Sequence, residues 1–109
     1  MTSISVYGAG YYANKAIPAL SKAYAISHIM DRSPDKQGGS MHGIPILPVC
    51  KAHADEYPVM ILIQDIESAL AALEEVECRS DIYFTADVRG GYLIWKYERA
   101  SDNRKDNIL

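Results

Sequence analysis

An apolar run, Ile4-Ser5-Val6-Tyr7, passes directly into Gly8-Ala9-Gly10 and leaves, from Tyr11, as a stretch with helical periodicity. No other feature limits the possible folds as tightly. Gly8 lets the backbone turn sharply off a strand end, and Gly10, without a Cβ, leaves its backbone open to close approach. A helix starting there aims unbonded N–H groups and the positive end of its dipole beyond the turn, which favours an anion. Ala13 stands three residues after Gly10, where a small residue lets helix and strand pack closely. A second apolar run, Ala25 to Met30, ends at Asp31, 23 residues after Gly8. Strand, glycine turn, helix, strand and terminal acid form a β-α-β unit of the Rossmann kind, in which the acid binds ribose hydroxyls.

The rest of the chain extends this alternation. The spacing of Ala13, Ala16, Ile17, Leu20 and Ala23 predicts a helix over Tyr11 to Ala23, with Pro18 inside it as a kink. Asp31 to Gly39 is rich in turn residues. Gly43 to Leu47 reads as a brief extended piece, which Pro45 assigns to a sheet edge. Pro48 to Tyr57 reads as a short helix. Val59 to Ile63 is apolar on both faces, as a central parallel strand requires. Ile66, Ala69, Leu70, Leu73 and Val76 form a helical stripe, with Asp65 placed to cap its start. Asp81 to Thr85 is a further strand. Residues 92–99 alternate like a strand paired back through Gly90-Gly91, with a short helix as the other reading. From Ser101 the chain reads as a solvated tail. The expected architecture is one three-layer α/β/α Rossmann-like domain over residues 1–100, with a mostly parallel sheet of about five strands and right-handed crossovers.

At 109 residues the chain holds one core and no room for a separate substrate domain. A net charge of −3 leaves no basic surplus for nucleic acid. No apolar run approaches the ~20 residues of a membrane span. Cys50 and Cys78 match no disulfide framework, and no basic leader precedes the first strand, so the expected location is cytoplasmic. With 49% apolar residues, more apolar surface exists than a small core absorbs; homodimerisation through the 66–76 helix or the Trp95 region is the expected outlet.

Ligands of open α/β sheets bind beyond the carboxyl ends of the strands, where strand order reverses. That edge would gather Gly8, Ala9, Gly10, Tyr11 and Tyr12, then Asp31 to Ser33, then Gln64 with Asp65. Arg32 there suits adenine stacking or a 2′-phosphate, and is equally well explained as a solvated loop residue.

Three segments together resemble a known group: Tyr7-Gly8-Ala9-Gly10, then Ile29-Met30-Asp31-Arg32-Ser33-Pro34-Asp35-Lys36-Gln37-Gly38, then His42-Gly43-Ile44-Pro45-Ile46-Leu47. They are similar to the small Rossmann-like domain of bacterial surface-polysaccharide proteins. It is found at the N-terminus of nucleotide-sugar acyltransferases, in membrane-linked nucleotide-sugar dehydratases and beside sugar-tailoring methyltransferases. The resemblance covers roughly residues 3 to 85, and its Asp…Lys-x-Gly…Gly-Ile-Pro-Ile segment is more specific than the glycine turn. It implies a nucleotide-sugar such as a UDP-sugar as ligand, with Gly8, Gly10 and Asp31 at the matching positions. The catalytic parts of these families have no counterpart here, so the resemblance implies a binding module without catalytic residues, standing alone or ahead of a catalytic domain. Tyr11-Tyr12 departs from the small or polar residues usual after the turn.

Other constellations are weaker. An NAD(P)-dependent oxidoreductase in reduced form shares the glycine turn but needs a proton donor that the sequence does not display. A non-binding interaction domain shares the fold alone. Tyr11 and Lys15 have dehydrogenase-dyad spacing on the wrong helix. Asp31 also suits S-adenosylmethionine enzymes, whose glycine turn is longer. His42, Cys50, His53 and Cys78 lack the two tight pairs of a structural zinc site, and Cys50 with His53 makes a poor nucleophile pair.

Overall fold

The computed structural model describes residues 1–99. The expected tail at 101–109 lies outside the described residues. Among the described residues seven strands form one sheet: β1 (Thr2–Tyr7), β2 (Tyr24–Met30), β3 (Ser40–Met41), β4 (Ile44–Leu47), β5 (Val59–Ile61), β6 (Ile82–Val88) and β7 (Gly91–Lys96). Their order is β3-β4-β2-β1-β5-β6-β7. The five strands β4, β2, β1, β5 and β6 pair in parallel. The chain runs outward from β1 through β2 to β4, returns to β5 beside β1, and continues to β6. The order therefore reverses between β1 and β5, at the carboxyl ends of Tyr7 and Ile61.

The two strands beyond the expected five are antiparallel additions at the margins. β3 and β4 turn through His42 and Gly43, both at positive φ (51° and 78°). A two-residue strand leaves no periodicity to read. β7 returns along β6 from Val88/Gly91 to Tyr83/Lys96, which settles the ambiguous 92–99 segment as a strand. β4 is consequently not the edge that Pro45 suggested. Pro45 precedes the β2–β4 ladder, which starts at Ile29/Ile46, so its missing N–H removes no parallel bond.

Among the described residues three helices complete the layers: α1 (Tyr11–Leu20), α2 (Lys51–Asp55) and α3 (Ile66–Glu75). Alternation along the strands divides the core in two. Ile4, Val6, Ile29, Met60 and Leu62 meet Ala13, Ala16, Ile17 and Leu20 of α1 on one face. Tyr7, Met30, Val59, Ile61 and Ile82 meet Ala54 of α2 and Ala69, Ala72 and Leu73 of α3 on the other. Complete burial of a side chain such as Ile17 or Leu73 contributes about 1.5–3 kcal/mol. α2 is shorter than the expected 48–57, since Pro48 and Val49 continue the extended chain before Cys50 caps the helix. Among the described residues no helix is long and apolar enough to cross a membrane.

α1 runs on through Pro18 and ends at Leu20 rather than Ala23. Proline removes the N–H that would bond the carbonyl four residues back, that of Asn14. His42 Nε2 donates to that carbonyl at 2.9 Å. The tight β3–β4 turn thus supplies the hydrogen bond that the helix lacks. Asp65 caps α3 as its position implied, accepting from the Ser68 N–H (3.3 Å) and hydroxyl (2.6 Å). After α3 the chain reverses through Glu77 at φ +59°, and the Cys78 N–H bonds the Leu73 carbonyl at 2.9 Å. This is a Schellman ending with glutamate where glycine is usual.

Candidate functional site

The two glycines of the turn do different work. Gly8 has φ +111°, and a Cβ there would collide with Ile63 Cγ2 and stand 3.0 Å from the Leu62 carbonyl oxygen. Its N–H donates to the Met30 carbonyl at 2.8 Å, which fixes the turn to the end of β2. Packing alone demands glycine here. Gly10 has an ordinary extended φ of −101° as the N-cap of α1. Among the described residues, a Cβ at Gly10 would have Lys36 Nζ as its one neighbour within 4 Å, at 3.9 Å. The space above Gly10 is open, and a cation borders it. No side chain caps α1.

Asp31 lies at the end of β2, half-buried, and both carboxylate oxygens are engaged. Oδ2 accepts the Ala9 N–H and Oδ1 accepts the Ser33 N–H, each at 2.8 Å. One bond clasps the glycine turn and the other starts the 31–39 loop. Gln37 donates to the Asp31 carbonyl at 2.8 Å, and the Lys36 and Gln37 N–H groups return to the Ser33 carbonyl. The loop folds back on itself, and this brings Lys36 over Gly10. Lys36 was absent from the sequence-derived site residues. Its signal lay in the Asp…Lys-x-Gly segment, but loop conformation decides where the amine stands.

A hollow of about 450 Å³ opens at the strand-order reversal. Gly10, Tyr11 and Tyr12 form its α1 side, Leu62, Ile63 and Gln64 its floor after β5, and Lys15 with Asp87 its far rim. Lys15 Nζ pairs with Asp87 at 2.7 Å, and the hydrogen bond and charge of Asp87 raise the lysine above its ordinary pKa. Thr85 donates to the Ile61 carbonyl at 3.5 Å, so the Tyr12 hydroxyl is the donor in its 3.1 Å bond to Thr85. Tyr12 and Lys15 therefore tie α1 to β6. Tyr11 projects into solvent, 84% exposed.

Of the residues expected at one edge, Gly10, Tyr11, Tyr12 and Gln64 line this hollow, while Gly8, Ala9 and Asp31 form the clasped turn beneath it. Two others go elsewhere. Asp65 is committed to its helix cap. Arg32 lines a separate groove with Gln37, Pro48 and Val49 against Ala72 of α3 and its C-cap Val76. From there its charge opposes the burial that raises the Tyr7 phenol. Three of the former metal candidates have separate surroundings. His42 bonds Asn14, His53 Nδ1 donates to the Pro48 carbonyl at 2.9 Å, and burial raises the Cys78 thiol. Sequence reading also passed over His28, buried in β2. Its Nε2 bonds the His53 carbonyl at 3.0 Å and its Nδ1 bonds Ser27 at 3.1 Å, which makes it a satisfied core histidine.

Neither a protein-family model nor a curated protein matches the chain. Solved structures do. One is the UDP-D-quinovosamine 4-dehydrogenase from Vibrio fischeri, with a TM-score of 0.66 and 13% identity over 89% of this chain and 93% of that one. Another is RSP, determined in complex with β-NADH, with a TM-score of 0.54 and 12% identity over 98% of this chain and 57% of that one. These likenesses establish a Rossmann-like α/β fold for the chain.

Proposed function

We propose that this chain is a nucleotide-binding module whose ligand lies across the strand-order reversal, with a phosphate at Gly10 and a ribose near Asp31. The openness above Gly10 carries the reading. Gly8 is explained by packing, whereas among the described residues the Gly10 Cβ position is left free with the Lys36 amine beside it. A backbone left bare at a helix start, with uncapped N–H groups and a cation, suits a phosphate. Each Asp31 oxygen accepts one backbone N–H and retains lone pairs for a hydroxyl. The finer reading is a nucleotide-sugar such as a UDP-sugar, in a bacterial, cytoplasmic setting of surface-polysaccharide assembly, with catalysis supplied by another domain or protein. It draws on the segment resemblance and is supported by the likeness to a UDP-sugar dehydrogenase from Vibrio fischeri.

A second reading has its own observation. RSP carries β-NADH on a fold that superposes over nearly the whole of this chain, so NAD(P) is the competing ligand. A thermal-shift panel of UDP, UDP-N-acetylglucosamine, NAD(H), NADP(H) and S-adenosylmethionine separates the two. At 100 times its dissociation constant a ligand stabilises the fold by about 2.7 kcal/mol. A shift with UDP compounds that disappears in Gly10→Val and weakens in Lys36→Ala supports the nucleotide-sugar reading. A shift confined to NAD(H) or NADP(H) replaces it with the dinucleotide reading. Silence across the panel, or full affinity in Gly10→Val, refutes binding at this turn.

A further inference from the structure

The two sheet edges are built differently. One ends in β3, two residues long, which leaves little to pair with. The other ends in β7, six residues without proline or bulge, in unbroken register with β6. The Tyr97 N–H donates to the Ile82 carbonyl, so alternate residues back along β7, Trp95 and Leu93, turn their backbone groups inward to β6. Tyr92, Ile94 and Lys96 turn theirs outward. Both faces of this edge are apolar and incompletely covered. Leu93 is 56% and Trp95 41% exposed on the α3 side, where Trp95 packs on Phe84. On the α1 side, Ile94 and Tyr83 border an apolar hollow with Ile4 and Met60.

We propose that two copies of this chain join through β7 as an antiparallel, two-fold edge-to-edge dimer. The strand is complementary to itself. A two-fold axis perpendicular to the sheet keeps each face continuous, so only residues of the same face stand opposite each other. Centring on Ile94 uses all three outward-facing residues: Ile94 opposes the partner's Ile94, and Tyr92 opposes the partner's Lys96. Side chains of the other face then pair reciprocally, Leu93 with the partner's Trp95. Within β7 no like charges meet, and Lys96 is drawn to its own Asp81, just before β6, at 3.4 Å. The pairing covers the exposed Leu93 and Trp95 and supplies partners for the outward N–H and carbonyl groups of β7, which pair with no strand among the described residues. It gives the apolar excess of the chain an outlet that neither core provides.

Sedimentation velocity of the full chain from micromolar to sub-millimolar concentration tests this, with emission of Trp95, the one tryptophan in the sequence, as a second readout. The expected result is a monomer–dimer equilibrium with Trp95 emission shifting blue as dimer forms. Leu93→Lys, at an exposed position, and Ile94→Pro, which deletes an outward N–H and no β6–β7 bond, each weaken the dimer about tenfold or more while circular dichroism retains the fold. A monomer throughout the range overturns the proposal and leaves the edge to a different partner. A dimer that survives both variants, with Trp95 emission unchanged, also overturns it.

Discussion

Exchanging each turn glycine for alanine should separate structure from function at the turn. At Gly8 the new residue must hold φ +111°, a conformation that costs an L-residue about 1–3 kcal/mol. Its Cβ also enters the space of Ile63 Cγ2 and approaches the Leu62 carbonyl to 3.0 Å, overpacking worth about 1–3 kcal/mol. Together these remove about 2–6 kcal/mol from a domain whose whole stability is about 5–15 kcal/mol. At about 4–8 °C per kcal/mol, melting falls by about 8 °C or more. Gly10→Ala adopts an ordinary φ and meets nothing closer than Lys36 Nζ, so its stability changes by no more than about 0.4–1 kcal/mol, upward. Thermal melts by circular dichroism, with urea titrations at 25 °C, measure both variants. Melting of Gly8→Ala within a few degrees of wild type, or an equal fall in Gly10→Ala, refutes the assignment of packing to one glycine and open space to the other.

Three further outcomes follow from single contacts. His42→Ala loses the bond to the Asn14 carbonyl and should cost about 1 kcal/mol, but little in a Pro18→Ala background where the helix supplies its own N–H; a double-mutant cycle with no coupling excludes the compensation. Glu77→Gly relieves the left-handed helix ending and should raise stability by about 0.4–1 kcal/mol in urea titrations, with a fall counting against strain at that position. Asp55 is held below its ordinary pKa by the Lys51 hydrogen bond and then the Arg79 N–H. A carboxyl depressed by folding adds stability above its unfolded pKa of about 3.9 and loses it as pH falls through the folded value, so Asp55→Asn should flatten the acid limb below about pH 4; an unchanged limb removes Asp55 as a source of it.

What could be read in advance depended on how local the cause was. The β1-α1-β2 unit was legible because a strand, a glycine turn and a helical stripe are each written in neighbouring residues. α3 was legible to within a residue through its apolar spacing and Asp65 cap. β3 was not, since two residues carry no period and the strand exists only by its pairing with β4. β7 was ambiguous because Leu93 and Trp95 are apolar on a strand face that remains exposed. At the site, Gly8 and Asp31 were placed at the turn, but the engagement of both Asp31 oxygens by backbone N–H groups was hidden, as was Lys36 beside Gly10. Arg32 lines a different groove from Gly10 and Gln64, a separation set by the folded 31–39 loop rather than by any local pattern.

The clasp between Asp31 and the Ala9 N–H also bears on when conformational freedom is lost. With the Gly8 N–H on Met30 and the Ser33 N–H on Asp31, the turn and the start of the 31–39 loop are fixed as the chain folds. On the proposed binding, a molecule arriving above Gly10 would meet backbone already held by these bonds, and the ordering left to complete would fall on side chains such as those of Lys36 and Gln64. Association then surrenders little main-chain entropy, and affinity depends on the groups presented rather than on the work of arranging them.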